Sequence, residues 1–145
     1  MCIRDRLVRG LVENFAPQVE AAQSSLSLQA EQPLEGNWDE FRIEQVVSNL
    51  LTNALRYGAK SPIEVRVYAQ DGEARVEVRD HGIGISEDNQ KRIFQQFERV
   101  SANHVAAGLG LGLFISEQIV TAHGGAISVE SRIGEGALFR VSLPL

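Results

Sequence analysis

Asn49, Asn53 and Arg56 are residues whose types and spacing could do chemistry. They lie within residues 44–57, where Val46, Val47, Leu50, Leu51, Ala54 and Leu55 recur at helical spacing and fill one face. At about 100° per residue, the two asparagines and the arginine fall within roughly 60° of each other on the opposite face. Asn is among the weaker helix formers, so two of them in mid-helix are a poor choice for a face that is merely wet. A row of amide oxygens and a cation could hold a metal-bound phosphate. The competing reading is a solvated helix face.

Two further features carry chemistry. Ala74, Val76 and Val78 alternate with Arg75, Glu77 and Arg79, and that phase turns Asp80 toward the buried side. A buried carboxylate must find donors or suffer a large desolvation cost. Asp80-His81-Gly82 suits a capped turn; it equally suits an acceptor held for the N–H group of a ligand. Gly108, Gly110 and Gly112 lead into a helical pattern, a phosphate-loop geometry in principle. Glycines let the backbone approach the oxygens, and a helix start offers free N–H groups at the positive end of its dipole. This is neither the dinucleotide fingerprint, which needs a preceding strand and an acid about 20 residues on, nor a Walker loop, since no Gly-Lys-Ser/Thr occurs.

The elements that must position these residues follow from pattern. Asp39 can cap the asparagine helix, which stops at Gly58. Before it, residues 7–22 read as an amphipathic helix with Val8, Leu11, Val12, Phe15, Val19 and Ala22 on one side; Pro17 should kink it or split off its last turns. Leu26 and Leu28 mark a short half-buried strand, and Pro33 and Gly36 a turn. Ile63, Val65, Val67 and Ala69 alternate up to Asp71-Gly72, a strong hairpin signal, and the Asp80 strand returns. Residues 87–97 read as a helix anchored by Ile93, Phe94 and Phe97, with Lys91, Arg92 and Arg99 adding positive charge. Residues 100–107 have no period and read as a loop. A helix over 113–122 is closed by His123-Gly124-Gly125, and a last hairpin runs through Ile127 and Val129, turns at Gly134-Glu-Gly136 and returns through Phe139, Val141 and Leu143. Residues 1–6 show no pattern and read as a ragged or artefactual end, which leaves one domain over 7–145.

The totals narrow the function classes. A chain of 145 residues suits one domain with a real core, and its 43% hydrophobic and 23% charged residues suit a soluble globular protein. No apolar run approaches the roughly 20 residues of a membrane helix, and no signal peptide is visible. A net charge of -5 argues against broad nucleic-acid binding but not against an anionic small ligand. The single cysteine, Cys2, excludes an internal disulfide and a thiol metal cluster, and points to a reducing compartment. Nine of the 13 glycines fall between Gly82 and Gly136, so the second half depends on loops with close backbone approach.

In this order and spacing, the motifs resemble those of the catalytic ATP-binding domains of sensor histidine kinases, within the superfamily that also holds gyrase, the ninety-kilodalton heat-shock chaperones and the mismatch-repair ATPases. Asn49-Leu-Leu-Thr-Asn53-Ala resembles the N box, and Asp80-His-Gly82-Ile83-Gly84-Ile85 the first glycine box. Ile93-Phe-Gln-Gln-Phe97-Glu-Arg99-Val resembles the F box, and Gly108-Leu109-Gly110-Leu111-Gly112-Leu113 the second glycine box. His123-Gly-Gly and Gly134-Glu-Gly136-Ala-Leu-Phe139 complete the likeness, which covers residues 7–145.

The resemblance implies an α/β fold of the Bergerat type: a two-layer α+β sandwich with a mixed sheet of about five strands and three main helices on one face. It implies an ATP site built from Asn49, Asn53, Arg56, Tyr57, Asp80, Gly82, Ile83, Gly84, Ile85, Arg99 and the six residues Gly108, Leu109, Gly110, Leu111, Gly112 and Leu113. Asp80 would accept the adenine amino N–H, and Tyr57 and Ile85 would pack on the ring. Asn53, with Asn49, would hold Mg²⁺, a hard cation that prefers oxygen. Arg56 and Arg99 would meet the phosphates, with Asn49, Asn53 and Arg99 as the catalytic set and residues 100–107 as a lid. Members that split water, and the anti-sigma serine kinases, carry Glu at the position of Asn49, where a carboxylate can act as general base. Asn cannot, and imidazole is itself a good nucleophile near neutral pH, so the pattern favours histidine phosphorylation over hydrolysis.

Two departures qualify the likeness. Ala137 stands where the family usually has Ser or Thr, which removes a hydroxyl from the adenine network. None of His81, His104 or His123 is followed by Glu or Asp in the manner of a phosphoacceptor; each is followed by Gly or Val. The chain is therefore expected to need the dimerisation and phosphoacceptor domain of a parent kinase, with a response regulator receiver domain as the next partner. No nucleic acid and no direct membrane contact by this domain are expected. The expected setting is cytoplasmic, in a parent either soluble or anchored in the inner membrane. The alternatives are a hydrolytic ATPase or anti-sigma serine kinase of the same superfamily, or a nucleotide-binding module without transfer activity.

Overall fold

The computed structural model of the protein describes residues 2–3, 5–30, 34–35, 38–58, 60–94 and 109–145. In chain order the elements are β1 (Cys2–Ile3), α1 (Asp5–Asn14), α2 (Ala16–Ala21), β2 (Ser25–Ala30), β3 (Leu34–Glu35), α3 (Glu40–Tyr57), β4 (Pro62–Gln70), β5 (Glu73–Asp80), α4 (Glu87–Gln90), α5 (Leu109–Ala122), β6 (Ala126–Ser131) and β7 (Ala137–Pro144).

Helix α3 is specified locally at its start, its face and its end. Asp39 stands extended before it and accepts the Arg42 N–H at 3.2 Å, satisfying a donor that a helix start leaves free. Ile43, Val46, Val47, Leu50, Leu51 and Ala54 are buried along one side. Their removal from water is worth on the order of 10 kcal/mol gross, before the opposing chain entropy. At the end, the Gly58 N–H donates to the Ala54 carbonyl at 2.7 Å.

Five strands form one sheet in the order β2-β4-β5-β7-β6. β2 and β4 are parallel, and the remaining neighbours antiparallel, so the sheet is mixed as expected. Parallel neighbours need a crossover, and α3 supplies it between β2 and β4. Asp71 and Gly72 turn the β4–β5 hairpin with φ of 54° and 76°, the paired positive angles that a two-residue loop demands. Ile63, Val65, Val67, Ala74, Val76, Val78, Phe139, Val141 and Leu143 all bury the same sheet face, joining α3 and α5 in one core. Trp38, just before the α3 cap, is buried in it too. No described helix is long and apolar enough to cross a membrane.

The far face of the sheet is ordered by polar contacts. Glu77 accepts from the Tyr68 hydroxyl at 2.8 Å and from Arg140 Nε at 2.7 Å, while Arg66 sits 4.4 Å from the Tyr68 ring centre. Burial pushes the Glu77 carboxyl up, but the hydrogen bonds from Arg140 and Tyr68 outweigh it and leave the group below its ordinary range. At the other layer, His123 ties two helices. Its Nδ1–H donates to the Ile119 carbonyl at 2.8 Å and its Nε2 accepts the Asp39 N–H at 3.0 Å, joining the end of α5 to the start of α3. The carbonyl only accepts and the amide only donates, so the neutral tautomer is fixed.

Several boundaries differ from the sequence expectation. Pro17 splits the first helix: α1 ends at Asn14, and Pro17 lies in the first turn of α2, where its missing N–H has no partner to lose. Cys2–Ile3 pairs with Leu34–Glu35, and α1 starts at Asp5, so part of the stretch set aside at the N-terminus carries regular backbone. α4 is one turn, followed by turns through Phe94, rather than a continuous helix; Phe97 lies outside the described residues. α5 begins at Leu109, not near Leu113, so Gly110 and Gly112 belong to its first turn and do not form a loop before it. Glycine disfavours a helix by about 1 kcal/mol per residue, but packing against α3 overrides that preference here.

Candidate functional site

The end of α3, the end of β5 and the β6–β7 turn meet with almost no space between their backbones. A Cβ on Gly58 would lie 2.5 Å from Asp80 Cβ, and one on Gly82 would lie 2.0 Å from the Tyr57 carbonyl oxygen. Gly136 has φ +80° and its Cβ would lie 2.1 Å from the Asp80 carbonyl oxygen. Glycine is therefore required by close approach at Gly82, and by both approach and backbone angle at Gly136. Hydrogen bonds close the junction. The Ile83 N–H donates to the Tyr57 carbonyl at 3.4 Å, the Gly134 N–H to the Ile83 carbonyl at 2.8 Å, and the Ile85 N–H to Ser131 Oγ at 2.8 Å. Gln90 Nε2 bridges the Ile85 and Ser131 carbonyls, each at 2.8 Å.

Asp80 sits at the centre of this junction, 3% exposed. Its Oδ1 accepts the Gly82 N–H at 2.9 Å. Burial pushes its carboxyl above the ordinary carboxylate range, against the pull of the Gly82 and Ala137 N–H groups and of His81. An acid buried this far with only backbone donors is suited to accept one more hydrogen bond from a ligand.

The α3 residues divide by depth. Asn53 is 4% exposed, and its amide has no hydrogen-bond partner among the described residues. An amide unengaged by the described residues is available to a ligand. Asn49 is half-buried and its Nδ2 donates to the Gly112 carbonyl at 3.2 Å and to Ser116 Oγ at 3.1 Å, which ties α3 to α5. Arg56 is exposed. Burial raises the Tyr57 hydroxyl, with Arg56 pulling the other way.

The structure thus brings Asn53, Tyr57, Asp80, Gly82, Gly84 and Ile85 to one end of the sheet, with Asn49 and Gly112 one helical turn away. Ile83 points outward, 59% exposed. The Leu113 and Ile85 side chains are both buried as part of the core cluster. The side chains of Leu109 and Leu111 are not described, and Arg99, Gly108 and the expected lid over 100–107 lie outside the described residues. Sequence reasoning missed Ser116, Ser131 and Gln90, whose partners are distant in the chain. A hollow of about 730 Å³ lies between α4 and the β6–β7 turn, but its lining includes none of Asn49, Asn53 and Asp80. Among the described residues, no group of three His, Cys, Asp or Glu side chains is placed to hold a metal ion.

Residues 38–145, from the cap of α3 to the last residue, match the family described as histidine kinase-, DNA gyrase B-, and HSP90-like ATPase. The chain belongs to this ATPase family. It is 35% identical over 149 aligned residues to the sensor histidine kinase RppB of Synechocystis sp., covering 100% of this chain and 33% of that protein. It is 37% identical to the alginate biosynthesis sensor protein KinB of Pseudomonas aeruginosa, covering 92% of this chain and 22% of KinB. The nucleotide-free catalytic domain of histidine kinase ThkA superposes with a TM-score of 0.85 at 26% identity, over 99% of this chain and 94% of that one. Full-length ShkA in complex with AMPPNP gives 0.85 at 29% identity, over 99% of this chain and 31% of that one. The ATPase-family fold expected from the sequence is the one observed, and the chain spans a third or less of the length of the curated relatives it matches.

Proposed function

We propose that this chain is the ATP-binding catalytic domain, over residues 7–145, of a two-component sensor histidine kinase. The observation that carries the reading is the pair of buried polar groups beside the α3–β5 junction: Asp80, with only backbone donors, and Asn53, with no described partner. Asp80 accepts the adenine amino N–H, Tyr57 and Ile85 flank the ring, and the backbone of Gly82, Ile83 and Gly84 shapes the pocket wall. Asn53 and Asn49 fit Mg²⁺, since both offer neutral amide oxygens, the hard donors this cation prefers, and they would hold it. Bound there, it would neutralise phosphate charge. Arg56 and Arg99 supply further positive charge there, the first turn of α5, from Leu109, offers backbone N–H groups to the phosphate oxygens, and Gly108 is assigned to the same phosphate-binding box.

In the complete protein, the imidazole of a phosphoacceptor His attacks the γ-phosphorus. The new P–N bond forms as the bond to the ADP oxygen breaks, and the phosphoryl group then passes to a receiver-domain Asp. The sensor histidine kinases among the relatives support this reading over hydrolysis, and the AMPPNP complex of ShkA supports the nucleotide site. The domain is assigned to the cytoplasmic side of its cell. Mixing it with a dimerisation domain from a sensor kinase and γ-labelled ATP is expected to give acid-labile, alkali-stable phosphohistidine. Absence of phosphohistidine while ATP demonstrably binds would leave a nucleotide-binding module in its place. Steady phosphate release abolished by Asn53→Ala would instead favour the hydrolytic reading.

A further inference from the structure

We propose that Ser116 is a positioning residue for Asn49, fixing the orientation in which Asn49 presents its amide oxygen to the metal–phosphate end of the site; the inference rests on the ATP reading above. Three polar or charged side chains are buried among the described residues: Asn53, Asp80 and Ser116. The first two have roles in that reading. Ser116, 0% exposed, has none, and it sits on the opposite helix.

Ser116 meets the site through Asn49. The Asn49 Nδ2 donates to Ser116 Oγ at 3.1 Å and to the Gly112 carbonyl at 3.2 Å. Gly112 and Ser116 are one turn apart on α5. A carbonyl oxygen only accepts, so the amide atom facing Gly112 must be the NH₂. Its two hydrogens have two acceptors. The Oδ1 is thereby turned from α5, and it accepts no hydrogen bond from a described residue. Asn53 lies one turn further along α3, so the two amides share one strip of the helix. With Gly112 alone as acceptor, the terminal torsion of Asn49 would sample a broad well. The second acceptor narrows it, and a reversed amide would set Oδ1 against the Gly112 carbonyl oxygen.

The test is calorimetric binding of a non-hydrolysable ATP analogue in excess Mg²⁺ and in EDTA. Ser116→Ala is expected to leave the EDTA affinity unchanged and to weaken binding in Mg²⁺ by about three- to ten-fold, the range for losing one such hydrogen bond. In an Asn49→Ala background, Ser116→Ala is expected to have no further effect. Thermal unfolding of the nucleotide-free domain reads the same coupling without metal: the two single substitutions together should lower the midpoint by less than their sum. Ser116→Cys, a weaker acceptor of similar shape, should fall between wild type and Ala, and serves in its place if Ala does not fold. Equal weakening in EDTA and Mg²⁺, or a Ser116→Ala effect that persists without Asn49, would overturn the proposal. So would wild-type affinity that is indifferent to Mg²⁺. Failure of the wild-type domain to bind nucleotide in either buffer would instead sink the ATP reading, and this inference with it.

Discussion

Asp80→Asn separates the two roles that an acid at the end of β5 could have. In the folded domain, the Asp80 carboxylate holds the Gly82 N–H at 2.9 Å. Asn would keep its oxygen on that backbone donor, because the donor is fixed by the α3–β5 junction. Its NH₂ would then face the adenine amino group, donor against donor. The variant loses a charge-assisted hydrogen bond, about 1.5–3 kcal/mol, and leaves donors buried without partners, about 1–3 kcal/mol more. A total of about 2.5–6 kcal/mol is a loss of roughly two to four orders of magnitude in affinity. The fold should not suffer. The folded pKa of Asp80 is raised by burial, so between its unfolded and folded values the native state binds more protons than the unfolded chain. Its ionisation therefore lowers stability as pH rises through that window, and the neutral Asn escapes the penalty. Titration calorimetry with an ATP analogue, paired with thermal unfolding from pH 4 to pH 8, reads both quantities. The expected result is lost binding with a midpoint at neutral pH close to or above wild type. Undiminished affinity would refute the adenine role, and a collapsed midpoint would make Asp80 a structural turn cap.

Gly82→Ala places a Cβ 2.0 Å from the Tyr57 carbonyl oxygen, so backbone must move. A loss of about 3 kcal/mol or more is expected, seen as a fall of roughly 10 °C in unfolding midpoint. Ala137→Thr supplies a hydroxyl beside Asp80, whose carboxyl already draws on the Ala137 N–H. Nucleotide affinity measured by calorimetry should rise by about three- to ten-fold, the effect of one added hydrogen bond.

Most of the frame was legible because it is written locally. The apolar period of α3, its Asp39 cap and its Gly58 stop need no distant partner, and Asp71-Gly72 sets the hairpin phase that turns Asp80 inward. What escaped depends on contacts between distant segments. The glycines of the second box look like a loop by propensity, yet Gly110 and Gly112 are helical, since Gly112 lies against Asn49 across the α3–α5 contact. Ser116 is a small hydroxyl in a mostly apolar helix, and nothing near it in sequence reveals that its partner is 67 positions away. Leu113 ends its motif, and only the packing of α5 shows that its side chain also joins the core. Gly82 and Gly136 belong to the loops expected to need close backbone approach, but the sequence does not show which segments approach. Both are required by backbones that touch around Asp80.

These contacts also change what Asn49 means. By sequence, Asn49 matters because it is not a carboxylate and cannot act as general base. In the structure its NH₂ is also the tie between α3 and α5, and a carboxylate cannot replace that donor. Asn49→Asp keeps the shape and tests the difference. Ser116 can rotate its hydroxyl to donate, but the Gly112 carbonyl, 3.2 Å away, cannot. One lost hydrogen bond and two opposed acceptors amount to about 2–3 kcal/mol, a fall of roughly 6–10 °C in midpoint at pH 7. Protonation would restore a donor, so the folded pKa of the new acid lies above its unfolded value. The deficit should therefore shrink as pH falls toward the ordinary Asp range near 4, opposite to the usual acid loss of a salt-bridged carboxylate. Steady-state phosphate release should stay at background, because the acid is held by repulsion out of the orientation a base would need. An Asn49→Asp domain as stable as wild type at pH 7, or one that hydrolyses ATP, would show that the tie to Gly112 does not constrain this position.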